Sequence, residues 1–143
     1  MPFFHTQSRD ELRRMYVEAW RKRRAGAPME PLQMQIADVI ELHPEYHAEL
    51  ENPLGAIERD YTPEGGQSNP FLHMGLHLAV REQTATDRPA GIRAAFESLA
   101  RRLGSAHEAE HLIIERLAET LWEAQRSGLP PDENAYLEKV LRC

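Results

Sequence analysis

A chain of 143 residues, 41% hydrophobic and 28% charged, has the composition of a soluble globular protein and is long enough to bury a core without disulfides or other staples. Its formal net charge of -6 argues against a general nucleic-acid binder, because neutralising a phosphate backbone needs a basic field. The one cysteine, Cys143, excludes an intrachain disulfide. No stretch approaches a membrane span, and Met1-Pro2-Phe3-Phe4-His5-Thr6 has no basic segment ahead of an apolar run, so we expect a cytoplasmic protein with no membrane partner.

Ser8 and Glu11 form a capping box, and Leu12, Met15, Tyr16, Ala19 and Trp20 then recur at helical spacing. This predicts a core-facing helix over about 8–24 that stops at Ala25-Gly26-Ala27-Pro28. Its basic residues, Arg13, Arg14, Arg21, Lys22, Arg23 and Arg24, read as a solvated face with charge suited to a helix C-terminus. Leu32, Ile36, Val39 and Ile40 predict a second helix over about 29–42. Pro44 disfavours an α conformation in the residue before it, so His43 belongs at a boundary or N-cap. A short helix from 44 to about 51 would then carry His47. From 52 to 68 periodicity fades and Pro53, Gly55, Pro63, Gly65 and Gly66 accumulate, which predicts one long loop holding at most a turn of helix.

Asn69-Pro70 suits a helix start, and the third long helix, over about 70–83, carries Phe71 and Leu72 and a stripe of His73, Leu76, His77 and Val80. Asp87, Pro89 and Gly91 precede a fourth helix with Ile92, Ala95, Phe96, Leu99 and Leu103 on its apolar face. Gly104 ends it, and Ser105 with Glu108 opens a fifth through a second capping box. His107, His111, Ile114, Ala118, Leu121 and Gln125 read as one face of that helix, with Leu117 adjoining it. Gly128-Leu129-Pro130-Pro131 stops it, and a last helix carries Tyr136, Leu137, Val140 and Leu141. No segment shows two-residue alternation. The expectation is an all-α fold, a single-domain helical bundle over 1–143 with five or six helices, mostly short turns, and one long loop at about 52–68.

Of the seven histidines, only His5 stands outside an H-x-x-x-H pair; the pairs are His43/His47, His73/His77 and His107/His111. Random placement would give roughly 0.3 such pairs. Residues at i and i+4 share a helix face, so each pair can aim two imidazoles at one point, as metal ligation needs. We therefore expect a metal site drawn from His73, His77, His107 and His111, which requires the third and fifth helices to be adjacent, a point the sequence leaves open, with His43, His47, Glu110 and Glu115 as secondary ligands. Nitrogen-rich ligation suits a divalent metal such as zinc or iron, and an open position on it would activate water or bind a small ligand.

Two other readings use the same residues. His107-Glu108-Ala109-Glu110-His111 spells the H-E-x-x-H of zinc hydrolases, but Glu110 charges a segment that is apolar in those enzymes, no third histidine follows, no strand is evident, and Glu108 already serves as a cap. The competing class is a non-enzymatic helical interaction protein whose histidines are structural or pH-sensing, each satisfied by backbone or carboxylate. Its working surface would be the basic end of the first helix or an exposed aromatic patch. The residues name neither a small-molecule nor a protein partner, and leave a homo-oligomer open.

Trp20-Arg21-Lys22, His43-Pro44-Glu45-Tyr46-His47, Tyr61-Thr62-Pro63-Glu64 with Gly66-Gln67, Asn69-Pro70-Phe71-Leu72-His73 running to Arg81-Glu82-Gln83, and Ala109-Glu110-His111 with Leu121-Trp122-Glu123-Ala124-Gln125-Arg126 stand along nearly the full chain. Together these segments resemble the bacterial domain-of-unknown-function family numbered 1841. The resemblance implies a small bacterial cytoplasmic protein and brings no activity with it. The run Gly65-Gly66-Gln67-Ser68-Asn69-Pro70 is part of that pattern, which points to a functional loop beside His73. The layout also resembles the haemerythrin and DinB groups, where H-x-x-x-H pairs are common, and Glu108-x-x-His111 resembles one half-motif of di-iron carboxylate bundles. The chain lacks the H-x-x-x-E and terminal H-x-x-x-x-D of haemerythrins, so oxygen-carrier chemistry does not carry over.

Overall fold

The computed structural model describes residues 9–59 and 69–143, and every regular element among them is helical. Among the described residues eight α-helices are present in place of the five or six expected: α1 (Arg9–Ala25), α2 (Pro31–Glu41), α3 (His47–Leu50), α4 (Pro53–Glu58), α5 (Pro70–Thr86), α6 (Ile92–Leu103), α7 (Ala106–Ser127) and α8 (Glu133–Leu141). α3 lies within the short helix expected at 44 to about 51, whereas α4, too short to show a hydrophobic period, falls inside the expected loop. Pro53 stands at the start of α4, where its missing N–H costs nothing, so this proline opens a helix rather than a loop. The Ser8 cap and positions 60–68 of the expected loop lie outside the described residues.

The chain forms two compact units, residues 1–74 and 75–143. In the first, α1 packs against α2, α3 and α4. Tyr16, Ala19 and Trp20 of α1 are buried, as are Ile36, Ala37, Val39 and Ile40 of α2, Leu50 of α3 and Ala56 of α4. Removing each large apolar side chain from water contributes about 1.5–3 kcal/mol. Trp20 also donates its indole N–H to Glu51 at 3.1 Å, and the ring of His47 tilts against it at 4.4 Å.

Arg13 departs from the solvated basic face read from the sequence: it is only 3% exposed. Its Nη1 donates to the carbonyls of Ala56, Ile57 and Arg59 at 3.3, 3.2 and 2.5 Å, and its guanidinium lies 5.0 Å from the centre of the Phe71 ring. The last carbonyls of a helix have no partner within it, and here a charged donor from α1 supplies one to α4. The other basic residues behave as surface groups. Arg21 pairs with Glu18 within α1, and Arg23 reaches Asp38 and Glu41 on α2. Exposed pairs of this kind contribute little each.

In the second unit α6, α7 and α8 pack against one another. Its core holds Val80 of α5, Ile92 and Leu99 of α6, Ile113 and Leu117 of α7, and Tyr136 and Val140 of α8. Asp87, at a φ of 54°, accepts the N–H groups of Gly91 and Arg93 at 3.1 and 3.0 Å and so opens α6 from outside its first turn. Gly104 and Gly128 close α6 and α7 in the left-handed conformation that side chains disfavour.

The buried face of α7 is rotated from the one read in the sequence. Ala109, Glu110, Ile113, Ile114, Leu117 and Thr120 are buried, whereas Ala118, Leu121 and Gln125 are exposed. Glu110 and Thr120 hid the stripe by being polar: Thr120 turns its hydroxyl to the carbonyl of Arg116 at 2.8 Å, and Glu110 has partners described below. Trp122 is exposed, with Arg126 stacked over its ring at 4.3 Å. Ser105 caps α7 as expected, accepting the N–H of Glu108 at 3.1 Å. Ser105→Ala is expected to cost about 1 kcal/mol, read as a lowered midpoint in denaturant unfolding.

Burial raises the phenol of Tyr16 to about 12 and that of Tyr136, which donates to Gln83 at 2.6 Å, further still. A folded pKa above the unfolded value of about 10 means stability is complete below pH 10 and is lost as pH rises toward 12. An alkaline titration followed by phenolate absorbance and helical circular dichroism should therefore show these two tyrosines ionising only as the helices melt. Among the described residues, no helix is long and apolar enough to cross a membrane.

Candidate metal centre

Helix α5 begins where Asn69 turns its side-chain oxygen onto the N–H groups of Phe71 and Leu72, at 2.9 and 3.2 Å. Four-residue steps then place His73, His77 and Arg81 along one face of it. The first turns of α7, set by the Ser105 cap, carry His107, Glu110 and His111.

Within the second unit these elements bring their polar side chains together. His77 is fully buried and Glu110 is 6% exposed. The Nδ1–H of His77 donates to Oε1 of Glu110 at 2.5 Å, and Arg81 Nε donates to Oε1 and Oε2 of the same carboxylate at 3.1 and 3.3 Å. Burial is the largest influence on Glu110 and acts to raise its pKa, but the hydrogen bond from His77 and the charge and hydrogen bond of Arg81 outweigh it, so the carboxyl sits below its usual range. With Nδ1 holding the proton, the lone pair of a neutral His77 ring is on Nε2. That Nε2 lies 3.0 Å from Nε2 of His111. His107 stands beside them, its ring parallel to His77 with centroids 5.6 Å apart and 4.2 Å from the His111 centroid. The sequence left open whether the third and fifth long helices, α5 and α7, are adjacent; the hydrogen bond from His77 to Glu110 and the approach of His77 to His111 join them.

The first unit holds a smaller histidine group. His43 caps the 3-10 turn Pro44–Tyr46, as the proline after it requires. Its Nδ1–H donates to the carbonyl of Val39 at 2.8 Å, which puts the Nε2 lone pair on the other side of the ring. His73 meets it edge-on at 5.0 Å, with ring nitrogens of the two within 4.8 Å of each other. Tyr46 stacks on His43 at 5.5 Å. His47 is placed differently: its Nε2–H donates to the carbonyl of Ile40 at 2.8 Å.

Of the remaining candidates, Glu115 and Glu108 are both exposed, the latter on the first turn of α7. Arg81 was not named as a site residue from the sequence; its place one turn after His77 is the one local signal it carried, and its partner Glu110, twenty-nine positions away on another helix, was not legible there. No curated protein and no solved structure matches the chain. A family model does, over residues 8–142, and by that match the protein belongs to the family described as a domain of unknown function, DUF1841.

Proposed function

We propose that this protein binds a divalent transition metal, zinc or iron, with His77 and His111 as central ligands and His107 as the neighbouring third. The observation that carries this reading is the 3.0 Å separation of the two Nε2 atoms. Two imidazoles bound to one ion at about 2.0–2.1 Å, at angles between square and tetrahedral, have nitrogens about 2.9–3.4 Å apart. The carboxylate behind His77 supports it, since metal-bound histidines commonly donate their second N–H to such a group. His43 and His73 are proposed as a further donor pair, from ring nitrogens that lie within 4.8 Å of each other in the first unit. An all-imidazole set favours zinc or iron over magnesium or calcium.

The test is elemental analysis by plasma mass spectrometry on untagged protein purified without chelators or added metal. About one equivalent or more of zinc or iron is the expected result. The same 3.0 Å also suits an N–H···N hydrogen bond between the two rings. Protein free of metal, with no thermal stabilisation by added zinc, iron or nickel, would favour that structural role and overturn the metal reading.

A further inference from the structure

We propose that Glu110 is a positioning residue of this centre and not one of its ligands: it takes the Nδ1 proton of His77, so that the ring presents Nε2 to the ion, and Arg81 clamps the carboxylate in that pose. The inference rests on the metal reading above and deepens it.

Both oxygens of Glu110 are already engaged by protein donors, Oε1 by His77 and Arg81 and Oε2 by Arg81. A carboxylate in that state has its lone pairs directed at N–H groups, while the neighbouring His77 Nε2 and His111 Nε2 face each other. His77 is fully buried, so water does not offer its Nδ1–H another acceptor. The spacing comes from the helices themselves: His77 and Arg81 are one turn apart on α5, and Glu110 precedes His111 on α7. One carboxylate therefore fixes the tautomer of one ligand from a position adjacent in sequence to the other. An accepting carboxylate also increases the basicity of the ring, and loss of such a partner typically weakens metal binding 10–100-fold.

The experiment compares wild type, Glu110→Gln and Glu110→Leu in two readouts. Long-range nitrogen–proton NMR on the metal-free proteins reports the His77 tautomer, and zinc titration reports Kd; helical circular dichroism and melting confirm that each variant is folded. Expected are a single Nδ1–H tautomer in wild type, retained in Glu110→Gln because the amide oxygen still accepts, and a mixture of tautomers in Glu110→Leu. Zinc Kd should rise about 10–100-fold in Glu110→Leu and by less in Glu110→Gln. Unchanged Kd and tautomer in folded Glu110→Leu would overturn the inference and leave the metal reading standing. So would a Kd loss in Glu110→Gln as large as that of His111→Ala, which marks a ligand. Wild type that binds no zinc would overturn the metal reading, and this inference with it.

Discussion

Replacing His77 and His111 together by alanine is expected to remove stoichiometric metal while leaving the helices formed. The two rings supply the facing Nε2 atoms, so the double variant deletes both proposed central donors at once. Each single replacement should weaken zinc by more than the ~10–100-fold typical of an outer partner, and the double should bring content to background. The fold should survive because alanine is the strongest helix former and Arg81 and Glu110 keep each other as partners after the rings are gone. His107→Ala, which removes a ring stacked beside His77, is expected to lose less than either. His43→Ala and His73→Ala, measured alongside, should lower metal content if their pair contributes donors as proposed. Metal equivalents and zinc Kd are the readouts. Undiminished metal in the His77/His111 double variant would show that the ion sits elsewhere.

Arg13→Met is expected to be the most damaging charged-to-apolar change in α1, costing about 2–4 kcal/mol. Hydrogen bonds from a charged donor contribute about 1.5–3 kcal/mol each and are not additive, and carbonyls left without a donor add a penalty of similar size. Methionine fills much of the volume but offers nothing to the carbonyls of Ala56, Ile57 and Arg59. Arg14→Met is the control, since Arg14 is exposed and should shift stability by less than about 0.5 kcal/mol. Arg13→Lys should recover only part of the loss, because an ammonium lacks the flat fork that can bond carbonyls while lying against the Phe71 ring. Denaturant unfolding of the three variants decides it, and an Arg13→Met midpoint equal to that of Arg14→Met would refute the clamp.

The contrast between those two arginines shows what kind of information the sequence carries. Local chemistry was readable: the break after α1, the His43 boundary before Pro44, the Asn69 start of α5, the Ser105 cap and the glycine ends of α6 and α7 all depend on residues within four positions of one another. Long-range partners were not. Arg13 meets carbonyls more than forty positions away; its place three residues before Tyr16 and seven before Trp20 sets it at the edge of the apolar face, unlike Arg14, but no neighbour in sequence names those carbonyls. The face of α7 was misread for the same reason, because Glu110 earns its buried place through His77 and Arg81 on another helix. Its role as an acceptor behind His77 was equally hidden, since a carboxylate next to a histidine in sequence reads most simply as another ligand. The histidine pairs themselves stood out because i, i+4 spacing is a local signal of a shared face.

The chain has two tryptophans, and they fall one to each compact unit: Trp20 in the first, buried against His47, and Trp122 in the second, exposed under Arg126. Each unit thus carries its own optical reporter, one emitting from an apolar setting and one from water. Trp20→Phe and Trp122→Phe would separate the two signals, so that the melting of one unit can be watched against that of the other without any label. Coincident curves would mean that the continuous helix α5 joins both units into one cooperative transition; separate curves would make each unit a folding element in its own right.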